Sequence, residues 1–398
     1  MHRLAREAAE FGTRVRDAVL DWPAVVARQH AIVRRLRPGP EKLEQAGVRL
    51  HRGEARLVDA GVVRVDGREV AGRRILIAAG SAPVIPPIEG RELALTSDDL
   101  LFLSEFPPSL VLVGAGAIGL EMASAFNDFG SAVTLIGQDD EILAGFDADV
   151  ARYLRTLLAE RGVTFHTGAR VTALAGRRGD VVTRFAVGDA PRETRSAAVC
   201  LAVGRRFDPR ALGDGVPALA TSRLGLATDP FLRTSLPGVY AAGDAAGNVQ
   251  LTTTAAYEGR VATANALQGD ILESDLSVVP QVIFTTPEIA KVGLTHREAR
   301  GRGVDCHVAT HDMRGASNGV ASGEDAGYLK LVFEGGTERL LGVQMVSYRA
   351  AELIQLAALA VREGATAGRL AAQLSVHPSH GERLIKVAGH DHHDVCEM

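Results

Sequence analysis

The chain has 398 residues, of which 46% are hydrophobic, 23% charged and only 5% aromatic. This length predicts about two to three domains, and the balance is typical of a folded globular protein, which excludes disorder as the main state. Lys plus Arg number 44 and Asp plus Glu number 48, so the net charge is -4. No bulk basic surface is therefore available to nucleic acid or to an anionic membrane, and neither partner is predicted.

The three cysteines, Cys200, Cys306 and Cys396, lie far apart in the chain. They match neither the disulfide framework of a small secreted protein nor the paired spacing of a zinc site. The first residues lack the apolar stretch of a signal peptide, and the apolar run 353–361 is too short to span a bilayer. We therefore expect a cytoplasmic protein that is not in a membrane.

The amino-terminal third predicts helices followed by short strands. Residues 2–47 have a helical pattern, with a second run that opens at Trp22 and is interrupted by Pro38-Gly39-Pro40. Short strands are expected at 62–65 and 75–79, before a proline-rich linker.

From Leu110 the pattern changes to that of a βαβ unit, which implies a parallel sheet. An apolar strand is followed by a glycine turn, a helix over 117–129 and a second strand at 132–137. The elements expected to extend this domain are a helix at 150–160, strands near 163–172 and 181–187, and the apolar run 198–203.

A second strand and glycine turn follow at 239–242, with a helix expected at 253–267. After Pro280 the pattern becomes that of an antiparallel α+β module. It has a hairpin over 328–346 and an alanine-rich helix at about 350–363.

The strongest local motif is Gly114-Ala115-Gly116-Ala117-Ile118-Gly119, placed after a strand and at the start of a helix. Gly114 permits the tight turn, Gly116 lets a pyrophosphate approach the backbone, and Gly119 allows close packing of the helix on the strand. The helix N-terminus favours the negative charge of the phosphates. A dinucleotide site is predicted here, against the alternative of a packing turn without a ligand.

The choice between NAD and NADP stays open. Gly137 stands where the motif expects an acid for the adenosine ribose, and Gln138 follows it. A cation for the extra phosphate of NADP is also missing, because Asp139, Asp140 and Glu141 come next.

Two further constellations are ambiguous when taken alone. Asp244 closes a strand shortly before a helix that begins near Thr252, where it can bind a ribityl or ribose hydroxyl or simply cap a turn. His377 and Glu382 can form a carboxylate–imidazole pair for proton transfer, although a solvated loop pair explains that spacing better.

Taken together, these stretches resemble the pyridine nucleotide-disulfide oxidoreductase family. The matching segments occur in family order and cover nearly all of residues 1–390; they are ILIAAGSAPVIPPIEG, VLVGAGAIGLEMASAF, AVGRRFDP, LPGVYAAGDAAGNVQLTTTAAYEGR, VVPQVIFTTPEIAKVGLT and HPSHGE. The resemblance implies a flavoenzyme that binds FAD and NAD(P) and forms a homodimer through its C-terminal domain.

The resemblance also implies roles for individual residues. FAD would be contacted by Ala55, Gly80, Asp244 and Thr252. The nicotinamide dinucleotide would be contacted by Gly114, Gly116, Gly119, Val171 and Gly204. Glu121 matches a glutamate beside the flavin, and His377 with Glu382 matches the pair that reaches the active-site thiols of the partner chain.

The fold class that the resemblance implies is α/β, with a Rossmann-like NAD(P)-binding domain inserted in an incomplete FAD-binding domain, plus a C-terminal α+β dimerisation domain. The expected bounds are 1–105 and 236–276 for the two parts of the FAD-binding domain, 106–235 for the NAD(P)-binding domain, 277–390 for the dimerisation domain and 391–398 for a tail.

The sequence departs from the family pattern at its start. A first strand with its own glycine loop and a redox-active C-x4-C pair are expected there, and neither occurs in these 398 residues. We therefore expect weak FAD binding, with an N-terminally shortened product as the first interpretation and a degenerate paralogue as the second. The tail has His390, His392, His393 and Cys396, for which a flexible polar segment is favoured over a metal site.

The function predicted on this basis is that of an FAD-dependent NAD(P)H:disulfide oxidoreductase of the dihydrolipoamide dehydrogenase or mercuric reductase type. Its acceptor would be a small molecule or a disulfide. Two alternatives remain: a non-catalytic nucleotide-binding dimer, and a flavin-only diaphorase that needs no cysteine pair.

Overall fold

A computed structural model describes residues 5, 7–16, 18–37, 39–213 and 219–389. The tail predicted at 391–398, together with His390, lies outside these residues. The α-helices are α1 Trp22–Leu36, α2 Pro40–Gln45, α3 Ser97–Leu100, α4 Ala117–Phe129, α5 Ala148–Glu160, α6 Thr252–Gln268, α7 His296–Gly301, α8 Ser317–Ser322, α9 Ala350–Arg362, α10 Ala367–Ala371 and α11 Gly381–Ala388.

The strands of the first two thirds are β1 Ala55–Asp59, β2 Val62–Val65, β3 Arg68–Ala71, β4 Ile75–Ile77, β5 Ala82–Pro83, β6 Leu95–Thr96, β7 Ser109–Val113, β8 Ala132–Ile136, β9 Thr164–His166, β10 Ala169–Arg177, β11 Asp180–Val187, β12 Ala190–Ser196, β13 Ala198–Leu201, β14 Arg205–Arg206 and β15 Val239–Ala241. Those of the last third are β16 Gln281–Ile283, β17 Glu288–Gly293, β18 Cys306–Asp312, β19 Tyr328–Glu334 and β20 Leu340–Ser347.

The centre of the chain forms a five-stranded parallel sheet in the order β6-β13-β7-β8-β9. Its inner strands β7 and β13 are continuous apolar runs because both faces of the sheet are covered, which is typical of parallel sheets. Leu110 and Leu112 face α4 and α5 in one core cluster, and Val111 and Val113 face the antiparallel sheet β10-β11-β12 in another. The predicted βαβ unit at 110–137 is confirmed.

A second region is assembled from segments on either side of the parallel sheet in the sequence. β15 pairs in parallel with β4, and β14 pairs with β5 in the antiparallel sense. The antiparallel sheet β1-β2-β3 belongs to the same part of the chain, and Leu57 joins Ile77 and Val239 in one core cluster. The parallel sheet is thus an insertion between paired segments.

The amino-terminal helix is fixed to the parallel-sheet unit by Trp22. Its ring lies 5.3 Å from Phe106, 5.8 Å from Phe126 and 5.7 Å from Phe129, and its Nε1 donates to the Leu103 carbonyl at 2.9 Å. This helix confirms the second predicted run.

Within the residues that the structure describes, the earlier helical run is confirmed only at its start. Residues 5 and 7 are helical and a 3-10 turn follows at Ala8–Phe11, whereas residues 13–16 are not helical. Gly12 follows the turn with φ of 72°, a left-handed conformation that ends a helix.

The C-terminal third is a five-stranded antiparallel sheet in the order β16-β17-β20-β19-β18. α9 packs on it through Ala350, Ile354 and Ala357, all fully buried, which confirms the predicted hairpin and alanine-rich helix. A buried polar joint attaches this sheet to the parallel-sheet unit.

The joint is built around Asp147 and Lys330, which are 5% and 6% exposed. Lys330 Nζ lies 3.1 Å from Asp147 Oδ2 and 2.9 Å from Asp149 Oδ1, and Gln344 Nε2 donates to Asp147 Oδ2 at 2.6 Å. Burial opposes ionisation of Asp147, but the Lys330 charge and the hydrogen bonds outweigh it, so its pKa lies below the usual range.

Candidate functional site

The glycine loop between β7 and α4 is shaped by contacts that leave no room for side chains. Gly114 has a φ of 119°, and a Cβ built on it would lie 2.3 Å from the Ala202 carbonyl oxygen. A Cβ on Gly119 would lie 1.9 Å from the Gly114 oxygen. The two glycines therefore satisfy the turn and the helix packing that the motif predicts.

Gly116 differs from these two glycines because it faces open space. A Cβ built there would meet no atom within 4 Å, and its φ of -87° is ordinary for any residue. Gly116 is also the N-cap of α4, and no side chain caps that helix. The first backbone N–H groups of α4 are thus available to an anion.

One cleft of about 860 Å³ lies in front of this loop. Of the residues singled out in the sequence, it is lined by Gly114, Gly116, Val171, Gly204 and Asp244. The cleft thus brings the glycine loop of the parallel-sheet unit to the same space as Asp244 of the second region.

The remaining predicted cofactor residues do not line the cleft. Gly119 is buried behind the loop, and Ala55 is exposed at the start of β1, opposite Val65. Gly80 has φ of 71° immediately before Ser81, and Thr252 is the first residue of α6.

Asp244 is held by a hydrogen-bond network that the sequence did not reveal. Ser81 Oγ donates to Asp244 Oδ2 at 2.7 Å. Arg205 in turn donates from Nε to Ser81 Oγ at 3.1 Å and from Nη2 to the Ser81 carbonyl at 2.8 Å. Because Arg205 follows Gly204 directly, this network links the two sides of the cleft.

The turn that contains Asp244 is anchored from behind by Glu258 of α6, which is fully buried. Its Oε2 accepts from the Gly243 N–H at 2.7 Å, and its Oε1 accepts from Asn248 Nδ2 at 2.9 Å. Burial raises the pKa of Glu258, and its two hydrogen bonds oppose that rise. The sequence did not reveal this residue. Its position in a helix that follows a glycine turn is the feature that could have indicated an anchor for that turn.

Gln250 offers an unused hydrogen-bond donor at the same end of the cleft. Its Nε2 is buried and has no partner among the described residues, and Gln250 lines the cleft. A buried donor without a partner costs free energy unless a ligand or water completes it.

The lining of the cleft also includes Gln138, Asp139 and Arg170. Arg152 and Arg155, the next cations after the strand, are directed to Glu141 at 3.8 Å and 2.9 Å. Arg170 is therefore one of the cations that the cleft presents, with Arg205 and Arg223, and the sequence did not reveal it.

Glu121 of α4 lies half-buried near the C-terminal sheet rather than on the cleft lining. Its Oε1 accepts from the Phe284 N–H at 3.0 Å. Burial raises the pKa of Glu121, and this hydrogen bond partly offsets the rise.

His377 and Glu382 form the predicted pair at the start of α11. His377 Nδ1 lies 2.8 Å from Glu382 Oε2, which also accepts from Lys386 Nζ at 2.9 Å. The Glu382 side chain is 1% exposed whereas that of His377 is 63% exposed. The hydrogen bond from His377 and the charge of Lys386 lower the pKa of Glu382 to about 2, so it stays ionised at neutral pH.

The described cysteines are not placed for joint thiol chemistry. Cys200 is fully buried in β13, where burial raises the pKa of its thiol to about 12. Cys306 belongs to β18 of the C-terminal sheet. No cluster of three or more His, Cys, Asp or Glu suited to a metal ion occurs among the described residues.

In the part of the chain that the structure describes, no helix combines the length and the apolar character needed to cross a bilayer.

This fold and cleft define an α/β oxidoreductase with Rossmann-type nucleotide-binding architecture. Residues 3–259 match the family described as "Pyridine nucleotide-disulphide oxidoreductase", and residues 279–388 match the dimerisation domain of that family. The chain belongs to the pyridine nucleotide-disulphide oxidoreductase family. Members of this family are FAD-dependent, use NAD(P)H and dimerise through the C-terminal domain.

Curated relatives of similar extent carry three different enzyme names. Glutathione reductase of Burkholderia cepacia is 32% identical, covering 95% of this chain and 84% of its own length. Mercuric reductase of Lysinibacillus sphaericus is 31% identical and covers 96% and 71%. Dihydrolipoyl dehydrogenase of Geobacillus stearothermophilus is also 31% identical and covers 96% and 83%.

The fold is also similar to that of a solved structure, the HOCl-induced flavoprotein disulfide reductase RclA from Escherichia coli. The TM-score is 0.84 at 26% identity, over 97% of this chain and 88% of that chain. The Cu(II) complex of the same protein gives a TM-score of 0.84 over 97% and 87% at 25% identity.

Proposed function

We propose that this chain is an NAD(P)H-dependent flavoenzyme of the dihydrolipoamide dehydrogenase or mercuric reductase type, active as a homodimer. The observation that carries the proposal is the single cleft lined by both the Gly114–Ile118 loop and Asp244. A hydride donor and a hydride acceptor must meet in one space, and a shared cleft provides it.

On the nicotinamide side, the proposed ligand residues are Gly114, Gly116, Gly119, Val171 and Gly204. The free N–H groups of α4 would bind the pyrophosphate, for which Gly116 leaves room. Gly119 acts indirectly, because it lets the helix approach the strand.

On the flavin side, the chain is proposed to use Asp244, with Ala55, Gly80, Thr252 and Glu121 as further flavin-site residues. The second region suits such a group, because Gln250 Nε2 is a buried donor without a partner and Asp244 uses only Oδ2 toward Ser81. FAD supplies the ability to accept a hydride and to pass electrons onward when it is bound.

The protein residues would supply placement and proton handling. The Ser81–Arg205 network orients the Asp244 carboxylate, and Glu258 holds the turn that presents it. His377, aligned by the buried Glu382, would exchange protons with the acceptor bound at the partner's site. The proposed domain bounds are 1–105 and 236–276, 106–235 and 277–390.

The final electron acceptor is proposed to be a small molecule or a disulfide. Electrons would pass to it from the flavin without a cysteine pair from within this sequence. A flavin-only diaphorase is the second candidate, which is supported by the burial of Cys200 and by the position of Cys306 in another sheet. The wide separation of the three cysteines supports a cytoplasmic location.

The test is to purify the chain with added FAD and follow NADH and NADPH oxidation with a quinone dye and with lipoamide. A yellow protein that reduces both acceptors supports the disulfide reductase, and one that reduces only the dye supports the diaphorase. A colourless protein that binds NADH without oxidising it would contradict both and favour a nucleotide-binding dimer.

A further inference from the structure

A second cavity, of about 430 Å³, lies within the C-terminal domain and its connection to the second region. It is separate from the nucleotide cleft, and much of its wall is apolar. The apolar surface is supplied by Leu276, Val278, Val292, Leu294, Leu341 and Val361. A volume of this size accommodates a small organic molecule.

The polar part of the wall is strongly basic. Three arginines, Arg302, Arg339 and Arg362, line the cavity together with one carboxylate, that of Glu298. Glu298 Oε2 already accepts from the Thr295 N–H at 2.9 Å, as part of the capping box of α7. Lys291 also lines the cavity, but its Nζ donates to the Gly145 carbonyl at 2.7 Å.

The arginines have charge left for a ligand. Arg302 forms no ion pair with any described residue. Arg339 lies 3.2 Å from Glu334 and Arg362 lies 3.7 Å from Asp275, and both arginines are about half exposed at these pairs. Exposed ion pairs of this kind contribute little free energy, so they do not prevent the guanidinium groups from binding an anion.

We propose that this cavity binds a small organic anion with an apolar body and a carboxylate or phosphate head. The apolar wall would bury the body, and Arg302, Arg339 and Arg362 would bind the head at the exposed rim. Guanidinium groups suit both heads because their paired N–H donors match two oxygens. The site shares no lining residue with the nucleotide cleft, so this proposal goes beyond the proposed oxidoreductase activity.

Octanoate is the probe for the test. Octanamide is the neutral control of the same size, and inorganic phosphate is the control anion that has no apolar part. Titration calorimetry on the full chain is expected to show saturable octanoate binding, at least about tenfold tighter than octanamide or phosphate. The R302Q/R339Q variant should lose most of this difference. These arginines are exposed, so the fold should persist.

The matched control is R369Q, which removes an exposed arginine of the same domain that does not line the cavity. It should bind octanoate like the natural sequence. Equal binding of octanoate and octanamide, unchanged binding by R302Q/R339Q, or no saturable octanoate binding would each overturn the proposal. NADH binding, measured on the same samples, tests the nucleotide cleft separately.

Discussion

The two regions that face the nucleotide cleft hold their turns in different ways. The Gly114 loop rests on a five-stranded parallel sheet with cores on both faces, whereas the Asp244 turn follows β15, which pairs with β4 and forms an isolated bridge from Tyr240 to Arg233. In the first, the backbone is fixed by steric contact, as at Gly119. In the second, it is fixed by the buried carboxylate of Glu258.

The comparison shows two ways to hold a glycine-containing turn in place. The turn next to the large sheet is held by packing, and the turn next to the small sheet is held by hydrogen bonds. Steric fixation tolerates no added atom but needs no polar partner. Fixation by a buried carboxylate depends on each hydrogen bond that satisfies it. Substitutions in the two regions should therefore fail differently.

The largest effect is expected for Gly119→Val. Its Cβ would lie 1.9 Å from the Gly114 carbonyl oxygen, which is backbone and cannot turn aside. The free energy of unfolding should fall by more than about 4 kcal/mol. Urea denaturation measures this, and a loss below about 1 kcal/mol would show that the loop is not sterically fixed.

Gly116→Val is the matched control, since that position opens on empty space. Stability should fall by no more than about 1 kcal/mol, because valine is a poorer N-cap than glycine, while NADH affinity falls about 100-fold because the side chain enters the pyrophosphate position. Fluorescence titration with NADH checks the affinity. Unchanged affinity would mean that the dinucleotide does not bind at this loop.

Glu258→Ala should cost about 1–3 kcal/mol, because the Gly243 N–H and Asn248 Nδ2 lose their buried acceptor. Glu258→Gln retains one acceptor and should cost less. FAD affinity, measured by flavin fluorescence, should weaken more in Glu258→Ala than in Glu258→Gln, while NADH affinity is retained in both. Equal loss of both affinities would indicate general unfolding rather than a local anchor.

The last prediction concerns the stability of the protein in acid. The pKa of Glu382 is about 2, below its ordinary 4.5, so its contribution to stability is complete above about 4.5 and disappears as the pH falls through about 2. The stability difference between the natural sequence and Glu382→Gln should therefore shrink between pH values of about 6 and 3. Urea denaturation across that range measures it, and a constant difference would show that ionised Glu382 is not stabilised in the fold.

The elements that the sequence predicted correctly are formed by residues that lie close together in the chain. The unit at 110–137 was recognised because a strand, a glycine turn and a helix follow one another without a break, and Gly114, Gly116 and Gly119 are explained by their own spacing. His377 and Glu382 are also close in the chain, but their spacing alone favoured a solvated loop pair, and the family resemblance identified them as a functional pair.

What was missed depends on contacts between distant segments. Arg205 and Ser81 are 124 positions apart, and their hydrogen bond exists only because β14 pairs with β5. Arg170 was also missed, although the resemblance had indicated its neighbour Val171 in β10. The first helical run is shorter than the periodic pattern predicted, because Gly12 ends it in a left-handed conformation.

The segment after Asp244 has one further consequence. Val249 lines the cavity that also contains Arg302, Arg339 and Arg362, while its neighbour Gln250 lines the nucleotide cleft. Because one peptide bond joins Val249 to Gln250, we expect a molecule that displaces one of them to shift the other as well. Such coupling is reciprocal. If a ligand in the cavity changes the affinity of the nucleotide cleft for its ligand by some factor, the ligand in the cleft changes the affinity of the cavity by the same factor.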